Sequence, residues 1–258
     1  MNIRSDIELA NASDIGCVRS ANEDYYLFIE PQDDEEFRRR GRLILVADGM
    51  GGHKGGRMAS RLAGDTIRDV FLSSSEEDPL EVMREGFSKA HLAIADRAAA
   101  DPELAGMGTT CTAIILRALH LTLGHIGDSR LYLIRDGSPQ QVSRDHTVVN
   151  RMVEEGRLTP EQAQNHEKRH VLCAALGVGS DDDVDFAQDP VEIHAGDILL
   201  LCSDGLHGLI SAEEMASVTI DQPLESACSE LLAWARVRGG PDNITLQLVR
   251  LAAAAQNV

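Results

Sequence analysis

Residues 109–134 read TTCTAIILRALHLTLGHIGDSRLYLI, and this stretch decides the fold. It holds three β-rich runs: Thr110 to Leu116, Leu121 to Ile126 and Leu131 to Ile134. The links between them are short, which favours antiparallel pairing, because a parallel crossover needs a dozen or more residues. Upstream, Leu43 to Ala47 is an apolar run ending in Asp48-Gly49, the pattern of a buried strand entering a turn. Ala59, Leu62, Ala63, Ile67, Val70 and Phe71 then recur at helical spacing, as do Met83, Phe87, Ala90, His91, Ile94 and Ala98. Asp78 before Pro79 is a start signal for the second helix. Downstream, strands are expected at Val191 to Ile193, Ile198 to Cys202 and Ile244 to Leu251, with a helix at about 223–238. Asp33 to Arg40, acidic then basic, reads as an exposed hairpin or loop. Residues 144–180 are polar and helical in pattern, and read as a small flap insertion over the sheet. Strand runs flanked by paired helices imply an α+β fold with two packed sheets and helices outside them.

The 258 residues suit one large domain or two small ones. A hydrophobic content of 43% supplies a sizeable core, and only 3% aromatics means that Leu, Ile, Val and Ala must build it. The formal charge of −18 would repel a phosphate backbone, so nucleic acid is not expected as a partner. Five cysteines, an odd number with no Cys-x-x-Cys spacing, read as a reduced compartment without disulfides or structural zinc. Met1 to Ala12 does not read as a signal peptide, and no apolar run reaches membrane-span length. The expectation is a cytoplasmic protein with no membrane association.

The chemistry-bearing pattern is a recurring phrase, an apolar strand delivering aspartate beside glycine. It occurs as Leu-Val-Ala-Asp48-Gly49 and Leu-Leu-Cys-Ser-Asp204-Gly205, with the variant His-Ile-Gly127-Asp128-Ser129. A fourth aspartate lies in Gly239-Gly-Pro-Asp242-Asn243, and a fifth in Arg19-Ser-Ala-Asn22-Glu23-Asp24. Each phrase alone is good turn chemistry. Together, converging strand ends would gather several negative charges, which is unfavourable unless cations neutralise them. Hard oxygen donors select Mg²⁺ or Mn²⁺, and two such ions are a standard device for hydrolysing phosphate esters. Gly49 would let its carbonyl approach as a ligand. Arg19 either clamps a phosphate with its guanidinium fork or forms a surface pair with Glu23 or Asp24.

These segments resemble the bacterial form of the metal-dependent type 2C serine/threonine protein phosphatases. The matching phrases run in family order from about Asp14 to Val249, and include Asp48-Gly49-Met50-Gly51-Gly52, Gly106-Met-Gly-Thr109-Thr110 and Gly240-Pro241-Asp242-Asn243. The resemblance implies a β-sandwich of two mainly antiparallel sheets flanked by helix pairs, with the flap at 144–180, in a single domain over 1–258. It implies hydrolysis of phosphoserine and phosphothreonine by direct attack of a metal-bridging hydroxide. Asp48 would bridge two Mn²⁺ or Mg²⁺ ions, with the Gly49 carbonyl, Asp204 and Asp242 completing the pair. Asp128 would hold a third, weaker ion together with Asp204. Glu23 and Asp24 would bind metal-bound waters, Arg19 would clamp the substrate phosphate, and His146 and His166 would belong to the flap. Phosphorylated proteins and a cognate serine/threonine kinase are the implied partners of a monomer.

The chain departs from the family pattern at Arg57, where Glu is usual, and at Glu167, where Pro is usual. Met50 stands where animal members place a histidine, leaving the proton donor unassigned; His53 reads as an exposed bystander. A nucleotide-binding reading fails because Lys54 replaces the last glycine of a dinucleotide fingerprint and Arg57-Met58 replaces the Lys-Ser of a phosphate loop. A catalytically weak relative that binds phosphoprotein is the other alternative, although no ligand position is lost.

Overall fold

The computed structural model describes residues 3–51, 54–187 and 189–252. Gly52 and His53, both singled out above, lie outside the described residues.

The strands are β1 (Ile7–Asp14), β2 (Asp24–Ile29), β3 (Arg42–Met50), β4 (Gly108–Thr109), β5 (Cys111–Arg117), β6 (His120–Ile126), β7 (Arg130–Arg135), β8 (Ser138–Gln141), β9 (Asp185–Phe186), β10 (Val191–Glu192), β11 (Ile198–Cys202) and β12 (Ile244–Leu251). The helices are α1 (Asp34–Arg40), α2 (Lys54–Ser73), α3 (Pro79–Ala100), α4 (Val148–Glu154), α5 (Pro160–Gln164), α6 (Asp204–His207), α7 (Ala212–Ile220) and α8 (Leu224–Val237). One sheet runs β1-β12-β11-β7-β8; the other runs β10-β6-β5-β3-β2, with β4 on β3 and β9 on β6. Every pairing is antiparallel.

Side-chain alternation along the strands builds three apolar layers. Ile44, Val46, Ile114, Leu131, Leu133, Leu199, Leu201 and Val249 meet between the sheets. Leu43, Leu45, Ala113 and Ile115 face the other way, onto Ile67, Phe71, Met83 and Phe87 of α2 and α3. Leu200, Leu246 and Leu248 face α7 and α8 through Met215, Ala227 and Leu231. The result is the expected α-β-β-α sandwich. As expected, Asp78 caps α3, its carboxylate accepting from Leu80 N–H at 2.9 Å. Among the described residues no helix is long and apolar enough to cross a membrane.

Two expectations change. Asp33 to Arg40 is not a hairpin or loop: Asp33 caps α1 by accepting from Glu35 and Glu36 N–H. Acids in its first turn and arginines in its last complement the helix dipole, and Arg40 donates to the Phe71 and Ser74 carbonyls at 2.6 and 3.0 Å. Nor does β3 stop before Asp48-Gly49; it continues to Met50, so both residues sit inside a ladder.

Candidate metal centre

Register brings the first acids together. Asp48 on β3 faces Asp24 on β2. The Asp48 backbone is gripped by the end of β4 and the residue that joins it to β5: its N–H donates to Thr110 Oγ1, and its carbonyl accepts from Thr110 N–H and Thr109 Oγ1, all at 2.9 Å. Thr110 Oγ1 in turn lies 2.7 Å from Ser129 Oγ, which links the Asp48 strand to the turn carrying Asp128. Neither Thr110 nor Ser129 carries a local sequence signal of this linking role.

Asp204 opens α6 directly after β11. Asp242 precedes β12, where Asn243 anchors three pieces of chain. Asn243 Nδ2 donates to the Ile15 and Ala21 carbonyls at 3.0 and 2.9 Å, and its Oδ1 accepts from Glu23 N–H at 2.8 Å. Close approach fixes this corner: a Cβ on Gly205 would collide with the Asn243 carbonyl, and one on Gly56 with the buried Glu23 carboxylate. Gly49 packs its backbone equally tightly on Gly56, whose Cβ would lie 2.7 Å from the Gly49 carbonyl oxygen.

Burial and mutual repulsion set the electrostatics. Burial pushes the Asp24 carboxyl up to about 7, and the charges of Asp204 and Asp242 add to the rise. Burial, then Asp24, Asp204 and Asp128, raise Asp48 well above the carboxylate range. Asp128 is pushed to about 8 by burial and Asp204, and Asp204 is raised by burial and Asp242. Asp24 Oδ2 accepts from Ser203 Oγ at 2.8 Å, but Asp24 Oδ1 and Asp204 Oδ1 are buried with no hydrogen-bond partner. Unpartnered, mutually repelling carboxylate oxygens are a hard-cation donor set. Among the described residues no three His, Cys, Asp or Glu side chains already surround one point at ligand spacing.

Arg19 pairs with neither Glu23 nor Asp24. Its Nη2 donates to Asp242 Oδ2 at 2.5 Å, joining two residues given separate roles. His146 is 6% exposed. Its N–H donates to the Gly127 carbonyl at 2.7 Å, its Nδ1 lies 3.3 Å from Gly127 N, and its Nε2 lies 3.0 Å from Asp185 Oδ2. It therefore fastens the base of the 144–180 segment to the Asp128 turn. His166 accepts from Lys168 N–H and lines a cavity of ≈ 310 Å³ with Arg151 and Cys173. His170 also reaches the site, standing with Nδ1 3.9 Å from Asp204 Oδ2. A histidine in a polar stretch carries no local signal of such a contact.

Residues 30–248 match the family model for protein phosphatase 2C. The chain belongs to the protein phosphatase 2C family. Serine/threonine protein phosphatase PstP of Mycobacterium tuberculosis is 38% identical over 241 residues, 93% of this chain and 44% of PstP. The chain thus spans less than half the length of that relative. Protein phosphatase PhpP of Streptococcus pneumoniae is 35% identical over 251 residues, 95% of this chain and 98% of PhpP. The PstP catalytic domain solved in complex with two manganese ions superposes with a TM-score of 0.78 at 35% identity, covering 95% of this chain and 98% of that one.

Proposed function

We propose that this protein phosphatase 2C member is a metal-dependent hydrolase of phosphoserine and phosphothreonine in proteins. The observation that carries the proposal is the convergence of carboxylates at Asp24, Asp48, Asp128 and Asp204, of which Asp128 is buried and the others partly buried, with the Oδ1 atoms of Asp24 and Asp204 buried and unpartnered, beside the cation Arg19. The names of PstP and PhpP support the same reading. Asp48, Asp204, Asp242 and the Gly49 carbonyl would hold two Mn²⁺ or Mg²⁺ ions, Asp128 with Asp204 a third, and Glu23 and Asp24 the coordinated waters.

Bound there, the cations supply a lowered pKa for water and positive charge for phosphate oxygens. The protein's own part is to hold the acids against their repulsion and to orient the ester. Arg19 is half exposed, so the remaining N–H donors of its guanidinium can reach a phosphate while Nη2 holds Asp242. A cysteine nucleophile is disfavoured: Cys202 precedes the site by two residues, but burial pushes its thiol to about 12. Hydrolysis is then a single displacement by water without a phosphoenzyme.

The whole chain acts as one catalytic domain, with 144–180 as a flap that meets the protein part of the substrate. It works as a cytoplasmic monomer opposing a serine/threonine kinase. The test is phosphate release from a phosphothreonine peptide by EDTA-treated protein, with and without Mn²⁺. Metal-restored release supports the enzyme; peptide binding without release would return the chain to a phosphoprotein-binding role.

A further inference from the structure

On the reading that Asp128 and Asp204 share an outer cation, we propose that His207 is a positioning residue that fixes the spacing of these two carboxylates. Asp204 is the first residue of α6 and His207 the last. The helix is a closed unit, with Gly208 N–H donating to the Asp204 carbonyl at 2.8 Å and Leu206 and Gly205 buried. From its far end, His207 Nε2 lies 2.9 Å from the backbone carbonyl oxygen of Asp128. A carbonyl only accepts, so Nε2 carries the proton and donates. This one hydrogen bond joins the element that carries Asp204 to the turn that carries Asp128, across 79 positions of sequence.

The turn has a second holder on its other side. His146 takes both the carbonyl and the N–H of Gly127, and it belongs to the base of the 144–180 segment. Ser129 also ties the turn to the neighbouring sheet, its Oγ lying 2.7 Å from Thr110 Oγ1 and its carbonyl accepting from Thr112 Oγ1 at 2.9 Å, but neither these bonds nor those of His146 reach the element that carries Asp204. With His207 it is referenced to Asp204. The Asp128 and Asp204 carboxylates repel, so the gap between them widens unless the backbone beneath is held. His207 cannot itself be a ligand through Nε2, which faces the carbonyl. It acts through Asp128, as partners behind metal ligands do elsewhere.

The experiment is a calorimetric Mn²⁺ titration of the EDTA-treated full chain, with thermal melts of the same samples. The proteins are wild type, Asp128→Ala, His207→Gln and His207→Met. Gln keeps an N–H donor at similar reach, whereas Met has similar length and no donor. Asp128→Ala should lose the weakest class of Mn²⁺ sites. His207→Met should weaken that class by about 10–100-fold, with the tighter classes unchanged, and His207→Gln should retain it. Equal weakening in Gln and Met, weakening of all classes together, or wild-type binding in Met would overturn the strap. If His207→Met does not fold, His207→Asn takes its place, because its shorter amide cannot span to the carbonyl. Should Asp128→Ala leave every class intact, the outer-site reading fails, and the role of His207 fails with it.

Discussion

Asp24 and Asp48 are register partners across the β2–β3 ladder, two acids face to face where like charges are normally avoided. Their carboxyls are raised, so the sign of the pH dependence follows. A group whose pKa is higher folded than unfolded binds more protons in the folded state, and stability falls as pH rises through that window. For Asp24, at about 7, and Asp128, at about 8, the window runs from about 4, the ordinary carboxylate value, to about 8. EDTA-treated protein should therefore lose stability between these pH values, on the order of a few kcal/mol in all. Asp24→Asn should flatten part of the slope, and saturating Mn²⁺ should remove most of it. Thermal melts from pH 4 to 9 would show this; a flat metal-free profile would contradict the repulsion.

Asp48→Ala and Asp204→Ala each remove a carboxylate that the proposed cations require. Each should lower kcat about a thousandfold or more, the scale of several kcal/mol of transition-state stabilisation. Chelated wild type should be inactive and recover with Mn²⁺ or Mg²⁺. Full turnover in chelator would exclude a metal mechanism.

The Arg19–Asp242 pair sharpens the expectation for Arg19. Arg19→Ala should raise KM for a phosphopeptide about 10–100-fold, the loss of charge-assisted hydrogen bonds worth about 1.5–3 kcal/mol. It should not weaken Mn²⁺ binding, because removing Arg19 frees Asp242 from a competing cation. Parallel kinetics and Mn²⁺ titration separate the two effects; a collapse of metal affinity would make Arg19 structural.

Gly205→Ala places a Cβ against the Asn243 carbonyl and should separate α6 from the Asp242 corner. Overpacking of this kind costs about 1–3 kcal/mol. The melting temperature and Mn²⁺ affinity should fall together, whereas unchanged metal binding would show that the corner can shift without moving the acids.

His146 and His166 both belong to the 144–180 segment, yet their surroundings predict opposite behaviour. His146→Ala removes the two hydrogen bonds of a buried imidazole, to Gly127 N–H and to Asp185, and should cost about 1–3 kcal/mol of stability. It should impair peptide and p-nitrophenyl phosphate alike. His166→Ala, on the wall of an open cavity, should change kcat/KM for a phosphothreonine peptide and leave the small aryl phosphate unaffected. Equal losses on both substrates for His166→Ala would place it outside substrate recognition.

The layers of the fold were legible because periodicity is local: the 43–47, 110–116 and 198–202 runs state their own burial, and the two helices between strands state theirs. The acids at 48, 128, 204 and 242 were legible for the same reason, each standing next to a turn or strand signal. Helix α1 was misread because its capping and its arginine contacts with the Phe71 and Ser74 carbonyls compete with a pattern that looks like loop. What only tertiary structure decided is which groups meet. The Asp24–Asp48 opposition depends on strand register, where a slip of one residue would leave the two side chains on opposite faces of the sheet. The Arg19–Asp242 pair spans 223 positions, and the His207–Asp128 bond joins a helix to a turn on another chain segment. Such contacts depend on how separate elements approach, and no local pattern of polarity or turn residues encodes that distance.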